Sequence, residues 1–380
     1  MEKHKKVLIV AGEASGDQHA ADLVNEIKKL TPSVDFWGLG GSCMKRENVL
    51  VTADLVSLAV IGFSEVIRQL NAIRSIYIKL LADIDRDKPD IAILVDYPGF
   101  NIRLAKELKK RAIPVVYYIS PQIWAWGKGR IKTIRETVSL MIVFFPFEET
   151  LYRSNGVPVA FAGHPCLDRV KTSLTAKDFR ERFSLDQGKR TIALLPGSRL
   201  KEVKTLLPIM LKASALISKR SRLPLQFIVL AAPTVSAALI KKLVERFNPA
   251  VKIVQDQTYD GIQASDLAMV CSGTATLETA ILGTPMLVTY KVNFLTWLYM
   301  RLLIKIPFIG LVNVVAGRKI VEEFIQFDAT AQKLSSYCCR LLSEPEKLSA
   351  IKNDLLAVKK SLGETGAAKR AARAVKELLA

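Results

Sequence analysis

The amino-acid sequence predicts an α/β protein made of two doubly wound halves, each with its own parallel sheet. The chain has 380 residues, which is more than one ordinary hydrophobic core accommodates. Short Val-, Ile- and Leu-rich runs alternate along it with amphipathic helical stretches. Continuous apolar runs separated by helices are typical of buried parallel strands in βαβ units.

Ten apolar runs are predicted as strands, in two groups of five. Those of the first group are Val7–Ala11, Val34–Gly38, Ile91–Val95, Val115–Ile119 and Leu140–Phe144. Those of the second group are Thr191–Leu195, Leu225–Leu230, Val251–Val254, Leu267–Cys271 and Met286–Thr289. We expect domains at residues 1–165 and 166–343, because Gly163-His164-Pro165 interrupts the pattern. The sequence of residues 344–380 predicts helices and no strands. Packing of these helices against the first domain is one arrangement that the sequence allows.

The charge of the chain indicates which class of binding partner to expect. The formal net charge is +19, of which residues 1–165 carry +4 and the remainder +15. Such a surface favours an anionic partner, either nucleotide phosphates or acidic lipid. No nucleic-acid-binding motif accompanies the charge, so we expect no nucleic acid. The five cysteines are odd in number and lack metal-ligand spacing, which indicates a reducing, cytoplasmic location.

Carboxylates follow two of the predicted strands of the first half. Glu13 lies in the glycine turn after the first strand, where a carboxylate has little use in packing. Asp17 follows it at a helix start, where it can act as an N-cap. Asp96 ends the strand at Ile91–Val95, and partial burial there would raise its pKa toward the range of a general base. The alternative for Asp96 is a cap on the following helix.

Aromatic residues in polar or amphipathic surroundings form a second group of candidates. The loop after the strand at Val115–Ile119 contains Trp124 and Trp126 among glycines and basic residues. Aromatic planes of this kind stack on sugars or lipids, although one of the two could fill the core at a domain edge. The helical stretch that begins near Phe63 is typical of core packing, with a stripe wide enough for some residues to face outward. The apolar run around Trp297 favours docking on anionic lipid or a pocket for acyl chains.

Two helix starts in the second half predict a phosphate site. Pro196-Gly197-Ser198-Arg199 follows an apolar strand, and a helix start offers unpaired N–H groups and a positive dipole end. Ser198 can cap that helix, and Arg199 offers a planar fork for phosphate oxygens. A similar turn spans Ser272–Glu278, where Glu278 falls one helical turn inside, within reach of a ribose. Each turn alone is equally typical of a well-capped helix, whereas the pair favours a nucleotide.

With these motifs the chain resembles, essentially from end to end, the lipid-A-disaccharide synthases, membrane-associated glycosyltransferases of the GT-B fold. The segments that carry the resemblance are Ala11–Asp17, Gly62–Glu65, Asp96–Asn101, Ser120–Trp126, Phe145–Glu148, Leu195–Arg199, Ser272–Glu278, and Asn313 with Ala316–Arg318. The resemblance implies two Rossmann-like domains that face a cleft, and neither metal nor other cofactor. One departure is Gly99, which stands where the family often has Asp; it leaves Asp96 unaffected.

The resemblance also implies a reaction. A 2,3-diacylglucosamine passes from UDP to the 6-hydroxyl of 2,3-diacylglucosamine 1-phosphate (lipid X), giving a β-1,6-linked disaccharide 1-phosphate and UDP. The implied setting is the cytoplasmic surface of the inner membrane of a Gram-negative bacterium, with anionic lipid as a partner and a homodimer as the assembly.

Site residues follow from the same resemblance. Asp96 is implied as the base, with Glu13 second. The implied UDP-binding residues are Ser198, Arg199, Ser272, Gly273, Thr274, Glu278 and Asn313. We assign to the acceptor and lipid side Asp17, Phe63, Trp124, Trp126 and Trp297.

Two alternatives stay open at this point. Another UDP-N-acetylhexosamine enzyme of the same fold, a 2-epimerase or the peptidoglycan transferase, would share the nucleotide-binding half. The apolar segments near Phe63 and Trp297 favour acylated substrates instead. A basic, non-enzymatic module for lipid or nucleic acid would not need carboxylates at strand ends.

Overall fold

Residues 1–165 and 363–380 form one unit of the chain, and residues 166–362 form a second. The computed structural model describes residues 4–58, 66–125, 127, 129–248, 250–294, 297–298, 301 and 306–379, without the side chains of 58 and 66–70. The helical tail predicted at 344–380 is divided, because residues up to 362 belong to the second unit.

The first unit is built on a seven-stranded, wholly parallel sheet. Its strands are β1 (Lys5–Ala11), β2 (Val34–Gly40), β3 (Leu50–Asp54), β4 (Ile91–Val95), β5 (Val115–Tyr118), β6 (Leu140–Val143) and β7 (Val159–Phe161). Their order is β3-β2-β1-β4-β5-β6-β7. The five strands predicted here are confirmed, whereas β3 and β7 were not predicted. Both are short edge strands, and neither contains the buried apolar run by which the central strands are recognised.

Helices cover both faces of this sheet. They are α1 (Ala14–Leu30), α2 (Ser42–Arg46), α3 (Leu55–Leu58), α4 (Val66–Arg86), α5 (Pro98–Lys110), α6 (Arg130–Thr137) and α7 (Pro146–Ser154). Successive side chains of a strand point to opposite faces. Val7 and Ile9 of β1 therefore join one buried cluster, and Leu8 and Val10 join the other.

The last helix of the described chain belongs to this first unit. This helix is α17 (Ala367–Leu379). Its buried residues Ala372, Val375 and Leu379 share a core cluster with Leu23 and Ile27 of α1. The end of the chain thus covers one face of the sheet with which the chain begins.

The second unit has a six-stranded, wholly parallel sheet. Its strands are β8 (Arg190–Leu195), β9 (Leu225–Ala231), β10 (Lys252–Gln255), β11 (Leu267–Cys271), β12 (Met286–Tyr290) and β13 (Glu323–Ile325). Their order is β10-β9-β8-β11-β12-β13. The five predicted strands are confirmed again, and the three-residue edge strand β13 was not predicted. The doubly wound α/β class is therefore correct for both units.

The helices of the second unit lie between its strands and at its end. They are α8 (Cys166–Arg169), α9 (Ala176–Arg182), α10 (Leu200–Arg220), α11 (Ala237–Phe247), α12 (Thr258–Gln263), α13 (Thr274–Ile281), α14 (Leu311–Ala316), α15 (Ala331–Leu342) and α16 (Pro345–Ser361). All five cysteines are free thiols. Within the described part of the chain, we find no helix with the length and hydrophobicity needed to cross a bilayer.

Candidate active site

Asp96 and Glu13 come together at the carboxyl edge of the first sheet. Strands β1 and β4 are neighbours, and Ala11 lies opposite Val95. The residues that follow these two positions therefore emerge side by side. Burial, and secondly the negative charge of Glu13, raises the pKa of the Asp96 carboxyl to about 6. A carboxylate with such a pKa can accept a proton near neutral pH.

The backbone that presents Asp96 is strained. Asp96 has φ +46° and Tyr97 has φ +45°, which places two consecutive non-glycine residues in the left-handed region. The Asp96 carbonyl accepts hydrogen bonds from the Tyr117 hydroxyl at 2.7 Å and from Asn101 Nδ2 at 2.8 Å. These two side chains hold the strained turn, and sequence patterns gave no sign of their role.

The Tyr97 ring occupies the space beside the first glycine turn. A Cβ on Gly12 would lie 2.3 Å from Tyr97 Cδ1, so glycine is required there for the ring to fit. Phe100 stacks against the same ring with centroids 5.9 Å apart. The result is a half-buried aromatic surface adjoining the Glu13–Asp96 pair.

Asp17, assigned above to the side of the acceptor substrate, is held by hydrogen bonds from the backbone. It is 2% exposed, and its carboxylate accepts from three backbone amides at the start of α2. These donors are Gly41 N at 2.7 Å, Cys43 N at 2.8 Å and Met44 N at 3.3 Å. Three backbone donors hold the buried carboxylate, so we propose a structural role for Asp17 in place of the role on the acceptor side. Nor does it cap its own helix, whose N-cap position is Glu13.

Trp124 is the described member of the tryptophan pair. Its indole N–H donates to Glu148 Oε1 at 3.2 Å, and its ring meets Phe147 edge-on with centroids 5.3 Å apart. Burial raises the pKa of the Glu148 carboxyl to about 7. Trp126 and Phe63, predicted on the acceptor and lipid side, lie outside the described residues.

Trp297 belongs to an aromatic surface cluster that we call the aromatic patch. The patch consists of Phe294, Trp297 and Phe327, with the Arg301 guanidinium 5.2 Å from the Trp297 ring centroid. Phe294 is 54% exposed and Phe327 is 63% exposed. Phe327 comes from a separate loop after β13, so the sequence pattern around Trp297 did not include it.

In the second unit, the turn after β8 has a conformation that requires glycine. Gly197 has φ +106°, and a Cβ there would lie 2.5 Å from Glu202 Oε2. Arg199, not Ser198, is the N-cap residue of α10. Its N–H and its guanidinium both donate to Glu202, at 3.2 and 3.0 Å. Ser198 contributes only its carbonyl among the described contacts, as acceptor for Thr234 Oγ1 at 2.6 Å.

A second helix start lies beside it, because β11 is the neighbour of β8 and Val270 lies opposite Leu195. Gly273 is the N-cap of α13 and has no side chain with which to cap it. No side chain at the N-cap position therefore competes with an anion for the first N–H groups, those of Thr274 and Ala275, whereas the Thr276 N–H donates to Gly273 O. Glu278 lies one turn further along, where burial raises the pKa of its carboxyl.

The side chains of Ser272 and Asn313 form hydrogen bonds with neighbouring backbone. The Ser272 hydroxyl donates to Ile309 O at 3.0 Å. Asn313 is fully buried, and its amide bonds Val321 O, Ile320 N and Val321 N at 2.9 to 3.0 Å. Asn313 Nδ2 also donates to Glu323 Oε1 at 2.8 Å. Since both ends of the amide are occupied, any contribution of Asn313 to UDP binding comes through the loop that it holds.

Glu323 completes this arrangement and was not predicted. Its carboxylate accepts from Ile309 N and Gly310 N, both at 2.9 Å. It lies on the short strand β13, so no sequence motif marked it. Among the described residues, no group of three or more His, Cys, Asp and Glu side chains is arranged to hold a metal ion.

Comparison with known sequences gives a consistent result. A family model described as lipid-A-disaccharide synthetase matches residues 7–378. The lipid-A-disaccharide synthase of Syntrophus aciditrophicus is 45% identical over 369 residues, which cover 97% of this chain and 96% of the relative. That of Geobacter sulfurreducens is 40% identical over 375 residues, covering 98% and 97%.

Comparison with solved structures bears on the fold alone. A putative UDP-N-acetylglucosamine 2-epimerase from Listeria monocytogenes aligns with TM-score 0.63 at 12% identity, over 99% of this chain and 97% of that one. A UDP-GlcNAc 2-epimerase from Neisseria meningitidis, bound to UDP-GlcNAc, aligns with TM-score 0.61 at 15% identity, over 98% and 99%. Both likenesses support the GT-B type of architecture.

Proposed function

The chain belongs to the lipid-A-disaccharide synthase family, and from this premise we propose that it is a glycosyltransferase that joins two acylated glucosamine units. The donor is a UDP-linked 2,3-diacylglucosamine, and the acceptor is 2,3-diacylglucosamine 1-phosphate. The products are a β-1,6-linked disaccharide 1-phosphate and UDP. The observation that carries this proposal for the first unit is the Asp96 carboxyl, whose pKa burial and the charge of Glu13 raise to about 6.

Asp96 is the proposed general base. Its carboxylate takes the proton of the acceptor 6-hydroxyl as the hydroxyl oxygen attacks the anomeric carbon of the donor. The bond from that carbon to the diphosphate breaks, and its electron pair leaves with UDP. Attack opposite the leaving group inverts an α linkage to β. Glu13 raises the proton affinity of Asp96 through its charge, which favours the transfer.

The second unit is proposed to hold the leaving group. The N-terminus of α13 and the Arg199 guanidinium present N–H donors to the diphosphate. Arg199 is 82% exposed in its ion pair with Glu202. An exposed pair of this kind is worth little, so a diphosphate can displace Glu202 from the guanidinium. Glu278 is the proposed ribose partner, one turn into α13.

Acyl chains and a membrane surface account for features that a nucleotide does not explain. The aromatic patch exposes large apolar rings next to Arg301. Residues from 166 onward carry a net charge of +15. Aromatic rings beside cations are suited to the interface of an anionic lipid layer. We therefore propose peripheral binding at the inner membrane. A homodimer is proposed from the family resemblance alone.

A transfer assay tests the function. Purified protein is incubated with UDP-2,3-diacylglucosamine and lipid X, and the lipids are analysed by mass spectrometry. We expect one disaccharide 1-phosphate for each UDP released, with turnover that persists in EDTA. Release of UDP without disaccharide would reject the proposal.

The epimerase alternative is tested in parallel. The solved epimerases share the fold of this chain at 12 and 15% identity, which carries no argument for their activity. Incubation with UDP-N-acetylglucosamine should leave the sugar unchanged at C2. Appearance of the C2 epimer by NMR, at a rate above that of disaccharide formation, would favour the alternative.

A further inference from the structure

The segment Phe145–Glu148, at the start of α7, has no part in the mechanism so far. It follows β6, which neighbours β5, and β5 in turn neighbours β4 with its terminal Asp96. In a parallel sheet the carboxyl ends of neighbouring strands meet at one edge. The start of α7 therefore lies on the same edge of the first unit as the proposed base.

Two hydrogen bonds join α7 to the loop after β5. In the middle of that loop, the indole N–H of Trp124 donates to Glu148 Oε1 at 3.2 Å. At its start, the Ser120 hydroxyl and the Tyr152 hydroxyl are 2.9 Å apart. The Phe145 N–H donates to the second oxygen, Glu148 Oε2, at 3.4 Å, so Glu148 also closes a capping box at the start of α7. The loop that carries Trp124 is thus attached to one helix at two points.

Glu148 is an unusual residue for this position if packing were its only task. It is 3% exposed, and a buried carboxyl costs free energy that a hydrophobic side chain of similar volume would not. What the carboxyl supplies is an acceptor for an indole N–H, which in turn sets the direction of a large ring. Phe147 also contacts that ring, edge-on, with centroids 5.3 Å apart.

We propose that Glu148 is a positioning residue for the acceptor sugar, acting through the Trp124 ring that it orients. The ring is half-buried and offers the apolar face on which a pyranose stacks. Without Glu148, the Trp124 ring loses its hydrogen-bonded orientation. The acceptor sugar then loses a fixed surface on which to stack beside the proposed base, Asp96. This inference rests on the proposed transferase function and adds to it a determinant of acceptor binding.

The experiment compares Glu148→Leu, Glu148→Gln and Trp124→Phe in steady-state transfer assays. We expect Glu148→Leu to raise the KM for lipid X about ten-fold, as for one lost hydrogen bond, with the KM for the UDP sugar and kcat within about two-fold. Glu148→Gln keeps an oxygen acceptor and should restore the wild-type KM. Glu149→Gln, which breaks an exposed pair with Arg153 on the same helix, is the matched control.

A double-mutant cycle shows whether Glu148 acts through Trp124. In a Trp124→Phe background, Glu148→Leu should change the KM for lipid X no further. Equal effects in both backgrounds, or an unchanged KM in Glu148→Leu, would overturn the inference. If Glu148→Leu does not fold, as judged by its melting curve, Glu148→Ala and Trp124→Phe/Glu148→Ala take the place of the two Leu variants in the cycle, since Ala also removes the acceptor oxygen. If wild-type protein forms no disaccharide, the proposed function fails instead.

Discussion

Two aspartates of the first unit show how local donors decide the role of a carboxylate. Asp17 accepts three backbone N–H bonds and is thereby fixed as part of the fold. Asp96 is buried next to Glu13 instead, and its pKa is raised to about 6. For Asp96, burial and a like charge oppose ionisation. The same kind of side chain is therefore held by the backbone in one place and suited to proton transfer in the other.

Asp96→Asn removes the proposed base while keeping the shape of the side chain. We expect kcat to fall by about 10²- to 10⁴-fold, the usual worth of a general base. The affinity for UDP, measured by calorimetry, should stay at the wild-type value. Glu136→Gln, an exposed carboxyl of the same unit, serves as control. Wild-type turnover in Asp96→Asn would move the base elsewhere.

The pH dependence follows from the direction of the Asp96 pKa shift. The base works when ionised, so kcat/KM, which reports the pKa values of the free enzyme, should fall as pH drops through about 6, the pKa of Asp96. For stability the sign is opposite. In the folded state, the pKa of the Asp96 carboxyl is raised from its ordinary value of 3.8 to about 6. The carboxyl therefore favours folding at low pH, and this contribution to stability is lost as pH rises through about 6. The Asn variant should gain in melting temperature over wild type at pH 8 and not at pH 4; an equal difference at both would contradict the assignment.

Asp17→Asn should have the opposite effect on stability. The amide nitrogen cannot accept from a backbone N–H, so at least one buried donor is left without a partner. We expect a loss of about 2 to 3 kcal/mol in the free energy of unfolding, measured in urea. The kcat of the folded fraction should not change. A selective rise in the KM for lipid X, at unchanged stability, would instead restore the acceptor role.

At the scale of elements, the second unit places two helix starts on neighbouring strands. Arg199 begins α10 after β8, and Gly273 begins α13 after β11. Their N-termini point to one edge of the sheet, because all strands are parallel. Two dipole ends and one guanidinium therefore lie at the same edge, where we propose that they bind one anion.

Arg199→Ala should weaken UDP binding about ten-fold or more, as expected for a lost charge-assisted contact to phosphate. Calorimetry with UDP measures this directly. Lys219→Ala, at the far end of the same helix, changes the net charge equally and should leave the affinity unchanged. Equal effects of both variants would mean that overall charge, and not a diphosphate contact, accounts for binding.

Elements and sites differed in how far the sequence could predict them. The central strands and the turn at Arg199 were predictable, because an apolar run followed by Pro196-Gly197 is local information. The short strand β13 has one buried residue and no such run. The contact of Glu148 with Trp124 joins residues 24 positions apart, and its existence depends on the order of the strands. Motifs therefore located the loops, and only the fold showed which side chains meet.

At the scale of the molecule, the two units differ in how the chain builds them. The second is made from one continuous stretch, residues 166–362. The first needs both chain ends, because α17 covers α1 and one face of its sheet. Its stability therefore depends on residues more than 300 positions from its first strand in the sequence.

Val375→Asp should destabilise the first unit selectively. Val375 is fully buried, and an unpaired charge there should cost about 3 kcal/mol or more. Lys376→Asp, at the adjacent exposed position, is the matched control. We expect transfer activity to be lost in Val375→Asp while UDP binding by the second unit persists. Loss of both in parallel would show that the units do not unfold separately.

The return of α17 to the first unit also sets an order of events during synthesis. A ribosome delivers the chain from its N-terminus, and domains generally fold as they emerge. The second unit has all of its residues once position 362 has left the exit tunnel, whereas the first still lacks the helix that covers α1. The half made first is thus completed last, and until then an apolar surface on α1 stays open to chaperones and proteases.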